Sequence, residues 1–121
     1  MVNILIIDDS PTEVYKLTTI LEQNNYGVQV ASSGEEGLKV AQATRPDLIL
    51  MDVVMPGVNG FQATRQLSRN AITKDIPVII VSTKDQDTDK VWGMRQGARA
   101  YLVKPVAESQ LLKAVADALS A

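Results

Sequence analysis

The sequence predicts an α/β protein, a doubly wound sandwich in which helices cover both faces of a parallel sheet. Three observations predict it. Apolar runs of strand length alternate with segments of helical period from end to end. Most of those runs are apolar at nearly every position, as suits parallel strands with no solvated face. The strand-then-helix unit recurs five times, and such repeats fold as right-handed crossovers onto one sheet.

The first run, Asn3–Ile7, reads as a strand. The helix after it opens at Ser10-Pro11-Thr12-Glu13, with an N-cap serine, a proline at the first helical position and a glutamate at the capping-box position. Val14, Leu17 and Leu21 give that helix one apolar face. The second strand, Gly27–Ala31, alternates apolar and polar residues through Val28, Gln29 and Val30, which places it at an edge. A helix runs from near Ser33 towards Thr44 and stops before Arg45-Pro46. Leu48–Met51 is the third strand, and the helix after Gly60 carries Phe61, Thr64 and Leu67 on one side. The fourth strand covers residues 78–81, and its helix follows the acidic residues Asp85, Asp87 and Asp89 and ends at Gly97. Ala100–Val103 is the fifth strand, read as covered like the others. The last helix carries Leu111, Leu112, Val115 and Leu119 to the end of the chain.

The chain has 121 residues, 45% of them apolar and 21% charged, which fits one soluble domain with a real core spanning 1–121. No repeat, linker or low-complexity tract divides it, so no effector domain is expected. No stretch approaches the ~20 apolar residues of a membrane span. The N-terminus reads as a strand rather than a signal peptide, so a cytoplasmic location is expected. The chain contains no cysteine and no histidine. That excludes disulfides, thiolate and imidazole metal sites, and any triad with an imidazole base. A net charge of −2 argues against nucleic acid as a partner. Chemistry must come from carboxylates, hydroxyls, lysines and the backbone.

In such folds ligands bind at the carboxyl ends of the strands. The first strand ends in Asp8-Asp9, the third in Asp52, the fourth in Ser82-Thr83 and the fifth in Lys104-Pro105. Three carboxylates converging at one sheet edge repel one another, and a hard divalent cation resolves the conflict. Magnesium takes oxygen ligands in an octahedron and keeps several waters. A lysine and a hydroxyl at neighbouring strand ends complete a site for a tetrahedral anion. Phosphoryl transfer needs mainly positioning and charge neutralisation, and a carboxylate is a competent nucleophile that forms an aspartyl-phosphate.

Singly, each feature has an ordinary structural reading. Asp8-Asp9 suits a helix cap, Lys104-Pro105 a turn, and an aspartate at a strand end is commonplace. The conjunction of an acidic pair, one acid, one hydroxyl and one lysine at four strand ends is what points to function.

With these motifs in place, the chain resembles the bacterial response-regulator receiver domains, the CheY-like family, over its whole length. The matching segments are Ile6-Ile7-Asp8-Asp9-Ser10, Leu50-Met51-Asp52-Val53-Val54-Met55-Pro56-Gly57, Val81-Ser82 and Val103-Lys104-Pro105. The resemblance implies a flavodoxin-like sandwich with five strands in the order 2-1-3-4-5. It implies that Asp52 is the phospho-acceptor and that Asp8, Asp9, Asp52 and the Val54 carbonyl hold Mg2+. It makes Lys104 the phosphate contact, Ser82 the switch hydroxyl and Tyr101 the switch aromatic, with a cis Lys104–Pro105 bond. It also implies a switch that catalyses its own phosphorylation and dephosphorylation, not an enzyme acting on other substrates. The chain departs from the family at Thr83, where Ala or Gly usually leaves room for the phosphoryl group. Thr83 also offers a second hydroxyl to the phosphate.

A closer similarity is to the PilH-type single-domain receivers of twitching-motility and type IV pilus systems. It is carried by Ser10-Pro11-Thr12-Glu13-Val14-Tyr15-Lys16-Leu17, by Asn59-Gly60-Phe61-Gln62-Ala63-Thr64-Arg65-Gln66, and by the segment from Thr83 to Gly93. It implies a CheA-like histidine kinase as phosphodonor, a downstream motility protein as target, no membrane insertion, and a monomer or weak dimer.

Other functions fit less of the sequence. A phosphate sink for a shared kinase uses the same residues. A flavodoxin-like cofactor-binding module needs a phosphate-cradling loop after the first strand, where Asp8-Asp9-Ser10-Pro11 places carboxylates that repel an anion. An aspartyl phosphatase needs a general acid and a substrate cap, and Val53-Val54-Met55 supplies neither. A receiver-like protein that never gains phosphate would not need the full acid set. Trp92, the single tryptophan, reads either as edge packing or as a partner anchor. The run Asp85, Asp87 and Asp89 reads as a solvated helix N-terminus stabilised by the dipole.

Overall fold

The computed structural model describes residues 1–121. Five β-α units follow one another: β1 (Asn3–Ile7), α1 (Pro11–Gln23), β2 (Gly27–Ala31), α2 (Gly34–Thr44), β3 (Leu48–Met51), α3 (Gly60–Arg69), β4 (Val78–Ser82), α4 (Asp87–Arg95), β5 (Ala100–Val103) and α5 (Glu108–Ser120). The sheet is parallel throughout, in the order β2-β1-β3-β4-β5. The predicted fold class and strand order are both present.

Strand alternation sorts the apolar residues into two cores. Ile4, Ile6, Leu48, Leu50, Ile79 and Val81 face one side and pack with Leu17 and Leu21 of α1 and Leu111 and Val115 of α5. Leu5, Ile7, Ile49 and Met51 face the other and pack with Ala41 of α2 and Ala63 and Leu67 of α3. Each fully buried Leu or Ile contributes about 1.5–3 kcal/mol of transfer free energy, so β1, β3 and β4 form the stiff centre of the domain.

The caps follow the sequence signals. The Ser10 side chain accepts from Glu13 N and the Ser33 side chain from Glu36 N, while Asn59 and Gln62 form a reciprocal capping box on α3. Two expectations are corrected. β5 stands at the sheet edge that the expected order gives it, but it is not covered on both faces, and of its four residues only Leu102 is buried. Its apolar run reflects packing on β4 and α5 rather than burial on both faces. The fourth helix does not follow the acidic run but begins inside it, with Asp87 and Asp89 in its first turn. There the carboxylates meet the positive end of the dipole.

Candidate functional site

The sheet ladder carries the acids to one edge. Beyond β1 the Asp8 N–H donates to the Ala31 carbonyl at 3.1 Å, and beyond β3 the Asp52 N–H donates to the Ile7 carbonyl at 2.9 Å. The Lys104 N–H donates to the Ser82 carbonyl at 2.9 Å. Each backbone is thus fixed by a neighbouring strand before its side chain enters the site.

Asp8, Asp9 and Asp52 each bring a carboxylate oxygen within 4.8 Å of the others. Asp8 and Asp52 are buried, while Asp9 is exposed at the mouth. Asp8 uses both oxygens: Oδ1 accepts from Ser10 N at 2.9 Å and Oδ2 from Lys104 Nζ at 2.9 Å. Its role is therefore not that of a helix cap, a task Ser10 performs. Lys104 Nζ also lies 3.5 Å from Asp52 Oδ1, which in turn accepts from Val53 N at 2.9 Å. The ammonium bridges the two buried carboxylates.

The electrostatics follow. Burial, reinforced by the Asp8 charge, raises the Asp52 pKa to about 6, against the opposing pull of Lys104 and the Val53 N–H. Burial alone would lower the Lys104 pKa, but the Asp8 hydrogen bond and the charges of Asp52 and Asp8 outweigh it and hold the ammonium above the usual lysine value. One lysine against three carboxylates leaves the cluster short of positive charge. Its donors are all hard oxygens, the set that Mg2+ prefers. The residues fit that ion. Val54 is exposed at the start of the β3–α3 loop, and no backbone N–H donates to its carbonyl.

Ser82 is fully buried as the last residue of β4, and its Oγ accepts from Lys84 N at 3.2 Å. Thr83, one residue on, is exposed. Tyr101 lies half-buried on β5 with its hydroxyl donating to the Lys84 carbonyl at 2.9 Å. Burial raises its pKa. The Lys104–Pro105 peptide is cis.

Gly60 is the residue that sequence reasoning passed over. A Cβ there would overlap the Asp52 carbonyl oxygen and lie 2.7 Å from Val53 Cα. Only glycine lets α3 begin this close to the Asp52 backbone. Its signal was the glycine directly behind the Asn59 cap, where capping alone requires none.

Comparison with known proteins decides the family. Residues 4–116 match the profile of the response regulator receiver domain. The chain belongs to the response-regulator receiver family. It is 62% identical to Protein PilH of Pseudomonas aeruginosa, over 95% of each chain. It is 39% identical to the transcriptional regulatory protein AfsQ1 of Streptomyces coelicolor, of which it spans 46%, so it matches the receiver portion of a longer regulator. Among solved receivers, the Vibrio cholerae chemotaxis protein CheY4 superposes with a TM-score of 0.92 at 32% identity, covering 98% of this chain and 99% of that one. A CheY-like receiver domain from Methanospirillum hungatei gives 0.92 at 27% identity, covering 99% and 94%. No helix of this receiver is long and apolar enough to cross a membrane.

Proposed function

We propose that the protein is a phosphorylation switch that takes a phosphoryl group from a histidine kinase onto Asp52. The observation that carries this reading is the Lys104 ammonium bridging Asp8 and Asp52 beside exposed Asp9. Asp8, Asp9, Asp52 and the Val54 carbonyl would hold Mg2+, which supplies charge neutralisation for the transferred group. Asp52 Oδ2 accepts no hydrogen bond from the protein, unlike Oδ1, which leaves a nucleophilic oxygen free. Lys104 and Ser82 would then contact phosphoryl oxygens, with exposed Thr83 at the entrance.

The donor is a CheA-like histidine kinase and the output is a motility protein of a type IV pilus system in the cytoplasm. The 62% identity to PilH supports that pathway. Incubation with acetyl phosphate and Mg2+ should add the mass of one phosphoryl group, and peptide mapping should place it on Asp52. Equal labelling of Asp52→Asn at the same rate would sink the acceptor assignment. For the pathway, expression in a Pseudomonas aeruginosa strain lacking PilH should restore twitching, and no restoration would count against it.

A further inference from the structure

The loop between β3 and α3 is gripped from the side by a helix that contributes nothing to the acidic cluster. Glu35, in the first turn of α2, accepts a hydrogen bond from Val58 N at 2.9 Å through Oε1. Gly57, next to Val58, has φ +76, and a Cβ there would lie 3.1 Å from both Glu35 carboxylate oxygens. The carboxylate therefore lies over the Gly57 backbone as well as holding Val58. Gly34, the first residue of α2, completes the grip: a Cβ on it would come within 2.6 Å of the Val58 carbonyl oxygen. Two adjacent residues of the helix hold two adjacent residues of the loop.

The helix that does this is itself fixed to the site. Gly37 lets α2 lie directly against the side chain of Ile7, the residue before Asp8. The far end of the loop is fixed by Gly60 against Asp52 and Val53, with Gly60 N donating to the Val53 carbonyl at 3.0 Å. Between these anchors sit Val54, exposed, and Met55, buried in the core. The conformation of residues 54–58 decides where the Val54 carbonyl points, and Glu35 is the one side chain with a hydrogen bond into that stretch.

We propose that Glu35 is a positioning residue for the phospho-acceptor loop, acting through Val58 and Gly57 to preset the Val54 carbonyl for the divalent cation. The inference rests on the magnesium reading given above. Glu35 touches neither the metal nor the phosphoryl group. It lowers the ordering that binding must otherwise impose on the loop.

The test titrates Mg2+ by calorimetry into wild type, Glu35→Ala, Glu35→Gln, Glu36→Ala and Asp9→Ala, and follows acetyl phosphate labelling at low and saturating Mg2+. Glu36 lies one residue on, is exposed and carries the same charge, so it reports the loss of charge alone. Glu35→Ala should weaken Mg2+ binding about three- to tenfold, less than the roughly 10–100-fold lost with a group bonded directly to a metal ligand, because Glu35 acts at one remove through Val58 and Gly57. Its labelling rate should fall at low Mg2+ and recover at saturation. Glu35→Gln, whose amide oxygen still accepts from Val58 N, should stay within about twofold of wild type, as should Glu36→Ala. The inference is overturned if Glu35→Ala matches Glu36→Ala, or if Glu35→Gln is as impaired as Glu35→Ala. Unchanged affinity in Asp9→Ala would instead bring down the magnesium reading itself. A weakened Asp9→Ala beside an unaffected Glu35→Ala would bring down the positioning role alone.

Discussion

The strands that carry Asp8 and Asp52 are central and buried, whereas the strand that carries Lys104 is a sheet edge with one buried residue in four. The helices differ in the same way. α1 buries Leu17 and Leu21 and α5 buries Leu111 and Val115, but α4 buries only Gly93. Its apolar side chains Val91, Trp92 and Met94 are 52%, 47% and 46% exposed. Gly93 is small because α4 packs close there: a Cβ would meet Ile80 at 2.8 Å and the Tyr101 ring at 3.0 Å. The acids thus stand on rigid ground, while the lysine and the hydroxyl border a corner with few buried contacts. Local displacement costs least where such contacts are fewest. The geometry holds Asp52 on the packed centre of the sheet and leaves the β4–α4–β5 corner with few buried contacts.

The largest expected effect breaks the rigid half. Asp52→Asn should abolish acetyl phosphate labelling while leaving the fold intact, because an asparagine keeps an oxygen for Val53 N. Asp9→Ala should weaken Mg2+ binding by at least about tenfold if Asp9 is the direct ligand proposed for it rather than a supporting group. Retained affinity in calorimetry would move the metal elsewhere.

Lys104→Ala removes one partner of a buried ion pair whose side chains are 11% and 2% exposed. Without Mg2+ the remaining carboxylates face one another uncompensated, and stability should drop by about 2–4 kcal/mol. Saturating Mg2+ should recover most of that loss, because the cation replaces the ammonium among the acids. Urea midpoints with and without Mg2+ decide it. A variant that stays unfolded at saturating Mg2+ would show the lysine to be structural first.

Asp52 also gives the rigid half a pH signature. Its carboxyl titrates near 6 in the folded chain against an ordinary value of 3.8. The folded state therefore binds the proton more tightly than the unfolded state. Below about pH 4 the group is protonated in both states and costs nothing, and its penalty grows as pH rises towards 6. At pH 7 without Mg2+ that penalty is about 1–3 kcal/mol. The charged groups of Asp8, Asp9 and Lys104 lie close to Asp52, so the clean quantity is a difference. Asp52→Asn minus wild type should widen between pH 4 and 6 and level off above 7. A difference that is flat across that range would show that Asp52 is not pushed up.

Much of this was legible in the sequence because strand period and helix capping are local. The bounds of β1, β2, β3 and β5 are those the apolar runs predict, and β4 gains only Ser82. The strand-end residues Asp8, Asp52, Ser82 and Lys104 are brought to one edge because a parallel sheet puts all its carboxyl ends there. The exposure of β5 was hidden, since Ala100-Tyr101-Leu102-Val103 reads the same whether its outer side meets a helix or water. Gly60 and Glu35 were hidden for a different reason. Their partners, Asp52 and Val58, lie 8 and 23 residues away; the glycine behind the Asn59 cap hints at the first contact without naming its partner, and nothing local marks the second.

The smallest expected effect sharpens the mobile half. Tyr101 and Ser82 meet at one residue, on its two flanking peptides: the Tyr101 hydroxyl donates to the Lys84 carbonyl, and Lys84 N donates to Ser82 Oγ. If Ser82 turns towards a phosphoryl oxygen, it gives up the Lys84 N–H, and the β4–α4 connection loses one of its ties. Tyr101 is coupled to that movement through the other side of the same residue. Two charge-assisted hydrogen bonds to the phosphoryl group offer a few kcal/mol of differential interaction. That is enough to shift a corner held by little buried surface. Beryllofluoride, a mimic of the phosphoryl group, should therefore change amide exchange across residues 82–104 by about tenfold or less, with β1 and β3 unmoved. Trp92, half-exposed on α4 in a groove with Phe61 and Arg65, should report the change in its fluorescence. If the mimic binds and exchange changes only in the loop after Asp52, the β4–α4–β5 corner carries no message. The protein would then act by draining phosphate from a shared kinase, a role in which chemistry at Asp52 suffices and no surface has to move.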